Sequence, residues 1–340
     1  MPVRQEASFI SRSLGAVLAQ DYPSEALQIL VADGFSTDGT REIVRELQTR
    51  HTNLFLIDNP GLIVPTGLNA ALRQARGEII VRVDGHTEIA PDYVRQCVAA
   101  LRRSGADNVG GPMQAVGAGL FGEAVALATS SPFGVGNARF HYSKREEPVD
   151  TVYMGAWPRH VFTRIGLFDE ELVRDQDDEF NYRLLEHGGR IWLSPTIQSR
   201  YTARSSAGRL WRQYFQYGQW KVRVMQKHPA QMRLRQFVPA SFVMTCALAA
   251  LATPVTSWAV GLLAVIIGAY VTCNLIASIA VACRHGWRHL VRLLLIFATL
   301  HVAYGVGFVS GLVRFSRRWR DRTGLAPQSS EADRRMQCAP

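Results

Sequence analysis

The first part of the chain reads as short apolar runs separated by amphipathic stretches. Residues 27–32 form a run of strand length, closed by Asp33-Gly34-Phe35-Ser36-Thr37-Asp38-Gly39, a turn composition. Thr40 can cap a helix running to about His51, with Ile43, Val44 and Leu47 on its inner face. A strand at 54–57, a Pro/Gly loop and a helix near 66–76 follow. Residues 77–83 read as a buried strand that ends abruptly in Asp84-Gly85-His86, and a helix runs from Pro91 to Ser104. Residues 110–116 and 149–156 are weaker strands. Residues 175–188 form a helix with Phe180, Leu184 and Leu185 on its buried side, stopped by Gly188-Gly189. This βαβα rhythm predicts the α/β class, a parallel sheet with helices on both faces.

After Phe237 the pattern changes to long apolar stretches. Residues 237–253, 258–282 and 290–313 are rich in Ala, Leu, Val and Ile, with only Arg292 and His301 interrupting them. Stretches of about 17 to 25 such residues match the hydrocarbon core of a bilayer, the expected partner of this part. The shortest of the three also suits a buried core helix. Arg223, Lys227, Arg233 and Arg235 place the preceding globular part on the cytoplasmic side. The link 254–257 then lies outside, and Arg284, Arg288 and Arg292 inside. A third full crossing would carry Arg314, Arg317, Arg318, Arg320 and Arg322 outside, against the same rule. That leaves either a re-entrant segment or a tail that departs from the bias. MPVRQEASF contains no apolar signal segment, so attachment is expected at the C-terminal end.

Charge sharpens the division. Residues 1–186 hold 25 acidic and 18 basic side chains, whereas 187–320 hold 17 basic ones and no acid. The split predicts an acidic, site-bearing globule joined to a part that meets anionic phosphates. The expected domains are 1–200 catalytic, 201–235 basic-aromatic interface helices, 236–315 two or three transmembrane helices, and 316–340 a basic tail, disordered after Thr323. Cys97, Cys246, Cys273, Cys283 and Cys338 are odd in number and form no CxxC pair, which fits a reduced cytosolic domain without structural zinc.

Ligands of an open α/β sheet bind beyond the carboxyl ends of its strands, where Asp33 and Asp84 stand. Asp84 and His86 can share a divalent cation that holds a diphosphate, or Asp84 simply opens a surface turn. Asp33 can accept the imide N–H of a uracil, or begin an Asx turn with Ser36. Asp175, Asp177, Asp178 and Glu179 suit a helix macrodipole, but four acids in five positions exceed what capping needs, and one is a candidate general base. Residues 203–235 carry eight basic side chains interleaved with Trp211, Tyr214, Phe215, Tyr217 and Trp220. Such a mixture meets nucleic acid or a lipid headgroup surface. The apolar stretch from Phe237 favours lipid, with no nucleic-acid partner.

Together these residues resemble family 2 glycosyltransferases of the GT-A fold, over about residues 1–227, and most closely the membrane-bound exopolysaccharide glucosyltransferases of the succinoglycan (ExoA-like) type. LAQDYPSEALQILVADGFSTDGTREIV is similar to the family's second strand and its base-binding Asp, and GEIIVRVDGHTEIAPDYV to its metal-binding strand end. The resemblance implies a Rossmann-like mixed sheet, with Asp33, Asp84, Gly67 and the Pro2, Val3, Arg4 and Glu6 turn seating a UDP-sugar. Asp84 and His86 would hold Mg²⁺ or Mn²⁺, His86 standing where Asp is commoner. MGAWPRHVFTRIGLFDEEL resembles the acceptor-side segment, implying acceptor contacts at Gly155 and Ala156. QDDEFNYRL resembles the family's catalytic-base helix, implying Asp177 as the base, with Gln176 where Glu is commoner. RLWRQYFQYGQWK is similar to the basic-aromatic helix of membrane-bound members, which puts Arg209, Gln213 and Lys221 at an acceptor or diphosphate region. It lacks the strict QxxRW pattern of processive synthases, which argues for addition of a single sugar.

The implied reaction is an inverting, metal-dependent transfer of a hexose, glucose in the nearest branch, to a polyprenyl-diphosphate-linked saccharide. The implied place is a bacterial inner membrane with the catalytic domain in the cytoplasm. The family opens with a full strand before its P-x-x-N-E turn, and MPVRQE starts almost at that turn. Neighbouring strands are then expected to carry unpaired backbone groups. Either the coding start lies further upstream, or this copy is an impaired scaffold that binds nucleotide sugar or partner transferases.

Overall fold

A computed structural model describes residues 1–320. The stretch expected to be disordered after Thr323 lies outside the described residues. The elements follow in chain order as β1 (Pro2–Val3), α1 (Ala7–Leu18), β2 (Ile29–Asp33), α2 (Thr40–Gln48), β3 (Leu54–Asp58), α3 (Val64–Leu72), β4 (Ile79–Val81), β5 (Thr87–Ile89), α4 (Tyr93–Ser104), β6 (Asn108–Gly110) and β7 (Met113–Val116). Next come α5 (Gly119–Thr129), α6 (Pro132–Val135), β8 (Glu147–Pro148), β9 (Ala156–Pro158), α7 (His160–Ile165), α8 (Gln176–Glu186), β10 (Ile191–Leu193) and β11 (Ser199–Thr202). The chain ends with α9 (Ala207–Lys227), α10 (Leu234–Ala252), α11 (Ser257–His285) and α12 (Leu290–Arg314). Met1–Gln114 with Ser143–Tyr201 form one compact unit; Ala115–Tyr142 with residues 202–320 form another.

The first unit is a mixed α/β structure, where the βαβα rhythm alone predicts a parallel one. Strands β1, β2 and β3 are parallel, and β6 is parallel to β10. Strand β9 runs antiparallel to both β4 and β6, and β8 antiparallel to β10. The five strands lie in the order β4-β9-β6-β10-β8. The strand predicted over 149–156 is replaced by β8 and β9 with an irregular segment between them. Met154 (φ 60°) and Gly155 (φ 104°) adopt left-handed backbone there, which a strand cannot contain.

At the N-terminus β2 keeps its partner. Pro2 pairs with Ala32 and Val3 with Asp33, while the Ala32 N–H donates to the Met1 carbonyl at 2.8 Å. Among the described residues β4 pairs with β9 alone and stands at a sheet edge, while β2 lies between β1 and β3. The core beneath the strands joins Ile10 and Leu14 of α1, Val31 of β2, Val44 of α2, Cys97 of α4 and Val109 of β6, all fully buried. A second aromatic cluster of Trp157, Phe162, Phe168 and Phe180 packs with ring centroids 4.5–6.1 Å apart and fixes α7 and α8.

The second unit is helical. Helices α10 and α11, and the span Trp287–Arg314 that includes α12, are long and apolar enough to cross a membrane. At 29 residues α11 is about 43 Å long, more than the roughly 30 Å hydrocarbon core. Helices α9 and α12 meet backbone to backbone. A Cβ on Gly218 would lie 2.0 Å from the Tyr304 carbonyl oxygen, and one on Gly307 2.0 Å from that of Phe215, so only glycine permits the approach. Helix α5 packs in this unit beside Leu293, Ile296 and Phe297 of α12. The Arg288 guanidinium bonds Glu123 of α5 at 3.0 Å.

Candidate active site

The turn after β2 is built together with the N-terminal turn. The Ser36 hydroxyl accepts from the Gln5 N–H and the Thr40 hydroxyl from the Glu6 N–H, both at 2.9 Å. The Asp38 carboxylate accepts from the Ala7 N–H at 3.0 Å and so caps α1 from a different loop. Burial works against the Asp38 charge, but these bonds and that from the Thr40 hydroxyl outweigh it and hold the carboxyl below its ordinary range. Asp33 forms the Asx turn with Ser36. Its Oδ2 accepts from the Ser36 N–H at 3.0 Å and from Arg41 at 2.8 Å, while its buried Oδ1 has no partner. Beside it Phe35 takes a left-handed φ of 52° and leaves its ring half exposed, with the Arg41 guanidinium 5.8 Å above it.

The second strand end leans on the first. A Cβ on Gly85 would lie 2.9 Å from the Val3 Cγ1 and 3.2 Å from the Glu6 Cγ. The Ser13 hydroxyl of α1 donates to the Gly85 carbonyl at 2.5 Å. Val3, Glu6 and Gly85 are therefore immediate neighbours, and Val3 pairs with Asp33. A Cβ on Gly67 would lie 3.4 Å from the Pro2 Cβ and 2.9 Å from Asn59, which brings Gly67 to the same turn.

Asp84 is held by a residue that the sequence reading passed over. Arg82 grips it in a fork, Nε to Oδ1 at 2.8 Å and Nη2 to Oδ2 at 3.2 Å, and only 6% of the Arg82 side chain is exposed. The Arg82 Nη1 is buried without a partner. Burial works against the charge of Asp84, yet the Arg82 guanidinium, with His86 and the Met1 ammonium, keeps its carboxyl below the usual range. Burial also opposes the Arg82 charge, and Asp84 followed by Asp177 overcomes it, so the guanidinium binds its proton more tightly than usual. Asp177 thus acts on the same side chain that holds Asp84.

His86 donates to or accepts from Glu6 through Nδ1 at 3.1 Å, and its ring edge meets Tyr201 with centroids 5.7 Å apart. Its Nε2 remains open. A carboxylate and an imidazole nitrogen suit Mn²⁺ or Mg²⁺ that completes its shell with phosphate oxygens and water. Among the described residues no group of three or more His, Cys, Asp or Glu is arranged to hold a metal.

Helix α8 sorts its acids by partner. Glu179 is buried and paired with Arg183 through both oxygens at 2.9 Å, while Arg183 also donates to the Ile165 and Leu167 carbonyls. Asp178 accepts from Thr151 at 3.1 Å, within a chain that continues through Asn181 to Asn108. Asp177 accepts from the Asp178 N–H at 3.1 Å and faces Arg82 electrostatically. Gly155 carries its carbonyl to the Arg82 N–H at 3.1 Å, and a Cβ there would strike the Trp157 ring and the Asn108 Oδ1. Ala156 is fully buried in β9 between Val81 and Val109, so the acceptor contact expected of it is not available there.

Arg209, Gln213 and Lys221 belong to the second unit, on α9. Arg209 bonds Ser205 and Ser206, Gln213 bridges Arg204 and Tyr217, and Lys221 is buried at 4% exposure. The signal that could have singled out Arg82 is its place inside an apolar strand, two residues before an acid, where a cation needs a partner.

The family model for Glycosyl transferase family 2 matches residues 1–166. The chain is 32% identical over 250 residues to the succinoglycan biosynthesis protein ExoA of Rhizobium meliloti (strain 1021), covering 70% of this chain and 73% of that one. It is 27% identical over 235 residues to a dolichyl N-acetyl-alpha-D-glucosaminyl phosphate 3-beta-D-2,3-diacetamido-2,3-dideoxy-beta-D-glucuronosyltransferase of Methanococcus voltae, covering 67% and 73%. Its fold is similar to the mannosyltransferase PcManGT of Pyrobaculum calidifontis, with a TM-score of 0.58 at 21% identity over 92% of this chain and 85% of that one. With that sequence match, and a GT-A architecture carrying Asp33, Asp84 and Asp177 in one unit, the chain belongs to glycosyltransferase family 2.

Proposed function

We propose that this glycosyltransferase is a membrane-bound, inverting hexosyltransferase of exopolysaccharide or cell-surface polysaccharide synthesis. It moves a hexose, glucose first, from a UDP-sugar to a polyprenyl-diphosphate-linked saccharide at the cytoplasmic face of a bacterial inner membrane. The observation that carries the reading is Arg82, a buried guanidinium that forks onto Asp84 and is stabilised electrostatically by Asp177. The named relatives support the pathway: one acts in succinoglycan biosynthesis and another is named for a dolichyl phosphate sugar, while PcManGT was solved with GDP-Man and Mn²⁺. Residues 1–200 supply the chemistry, 201–235 an interface and 236–315 the membrane anchor.

In this mechanism the Pro2, Val3 and Glu6 turn and Gly67 line the nucleoside, and the Asp33 Oδ1 accepts the imide N–H of the base. Asp84 and His86 would hold Mg²⁺ or Mn²⁺, which would supply Lewis-acid stabilisation of the departing diphosphate. Asp177 takes the proton of the acceptor hydroxyl as its oxygen attacks the anomeric carbon opposite the leaving group, so configuration inverts without a sugar–enzyme bond. Gly155 offers its backbone to the acceptor. Asp177→Asn is expected to lower transfer by about 10²- to 10⁴-fold with UDP affinity unchanged, measured with labelled donor in membrane fractions. Turnover retained in that variant would remove Asp177 from the role.

A further inference from the structure

Of all the buried groups outside the reacting set, Arg82 is the most unusual. It lies within an otherwise apolar run, holds both oxygens of Asp84, and keeps a third nitrogen, Nη1, buried without a partner. A guanidinium that forks onto a carboxylate takes one electron pair on each oxygen, the pairs a chelating divalent ion would use. Its charge also repels a second cation a few ångströms away. A free metal ion approaching Asp84 must overcome both. A metal ion arriving on a nucleoside diphosphate brings its own negative charge, which offsets the repulsion and offers phosphate oxygens to the released guanidinium.

We infer that Arg82 is the resident counter-cation of Asp84, so that this site admits a divalent ion together with a nucleoside diphosphate and rejects the free ion. Arg82 is a positioning residue in this scheme: it sets the order of loading through Asp84 and does no bond chemistry. The open Nη1 gives the displaced guanidinium a donor for a phosphate oxygen without breaking a further bond. The inference rests on the reading of Asp84 as a cation ligand, and the two can fail separately.

The test is Mn²⁺ binding to the full chain in detergent, followed by electron paramagnetic resonance, with and without UDP. Without UDP the wild type binds Mn²⁺ weakly, and Arg82→Gln binds it at least about tenfold tighter, the scale expected when a unit charge close to the ion is removed. With UDP the gap narrows, because the wild type gains more from the nucleotide than the variant does. Arg82→Lys keeps the charge but loses the fork, and is expected to fall between the two. It carries the test if Arg82→Gln fails to fold by near-ultraviolet circular dichroism. Binding of free Mn²⁺ that is unchanged or weakened in the folded variant overturns the inference, since a residue that merely holds Asp84 in place would give that result. Asp84→Asn separates the two readings: if it abolishes Mn²⁺ binding while Arg82 variants bind no tighter, only the counter-cation role falls. If it changes nothing, both fall.

Discussion

The two units differ in how their charges are balanced. Among the described residues the first unit holds 24 acidic and 19 basic side chains, and it buries matched ion pairs, as in Arg82 with Asp84 and Arg183 with Glu179. The second holds 16 basic side chains and one acid, Glu123, which takes Arg288. It gains its close packing from glycine, at Gly218 and Gly307, and leaves apolar side chains such as Leu234 and Val255 more than 80% exposed. A cluster of matched ions makes sense where charges must be aimed at a ligand. A basic surface over exposed apolar helices makes sense beside lipid with anionic headgroups.

Removing one half of a matched pair should therefore damage the first unit most. Arg183→Met takes the guanidinium from the buried Glu179 and the donors from the Ile165 and Leu167 carbonyls. Breaking such a pair costs about 3–5 kcal/mol. The expected outcome is loss of UDP binding and rapid proteolysis within residues 143–201, with the membrane helices still protected. Equal protease resistance of wild type and variant would show that the pair is dispensable. Gly307→Leu is the converse change. It forces α9 and α12 apart and should cost about 1–3 kcal/mol through overpacking, read as a lower midpoint of thermal unfolding in detergent. UDP affinity should stay within about twofold, because each unit keeps its own core.

The comparison also explains what the sequence could reveal. Long apolar stretches are legible from composition because a bilayer demands them residue by residue, and the helices α10, α11 and α12 fall where hydropathy puts them. Strand ends at Asp33 and the turn at Asp84 were legible because an apolar run stops at a carboxylate. The segment 149–156 was misread because its left-handed Met154 and Gly155 are dictated by tertiary fit, Gly155 against Trp157 and Asn108, and not by local propensity. Residues 115–142 look like part of the acidic half, yet α5 packs with α12; only its apolar composition hinted at this. The Arg82–Asp84 fork was invisible to periodicity, which counts an arginine in a strand as an interruption. The partners of Asp178 and Glu179 on α8, Thr151 and Arg183, likewise come from elsewhere in the chain or from the next helical turn and needed the structure to be seen.

The smallest expected effect tests whether matched charge in the first unit extends to its exposed turns. Asp38 stands on the surface but caps α1 through the Ala7 N–H and bonds Thr40 at 2.6 Å through its hydroxyl. Its folded carboxyl is held below the ordinary value of 3.8, so the stabilisation is present above that value and is lost as pH falls through the depressed one. Asp38→Ala should therefore cost stability near neutral pH, toward the lower end of the roughly 0.5–2 kcal/mol of a cap because the group is exposed. Once pH falls below the depressed value the wild type and variant should converge, since protonation removes from the wild type what the substitution removes outright. Unfolding of the two proteins compared across pH 2 to 7 measures this directly. A difference that persists undiminished at the acid end would mean that the Asp38 side chain acts by its shape rather than its charge, and the contrast between an ion-matched unit and a glycine-packed one would then stop at the buried pairs.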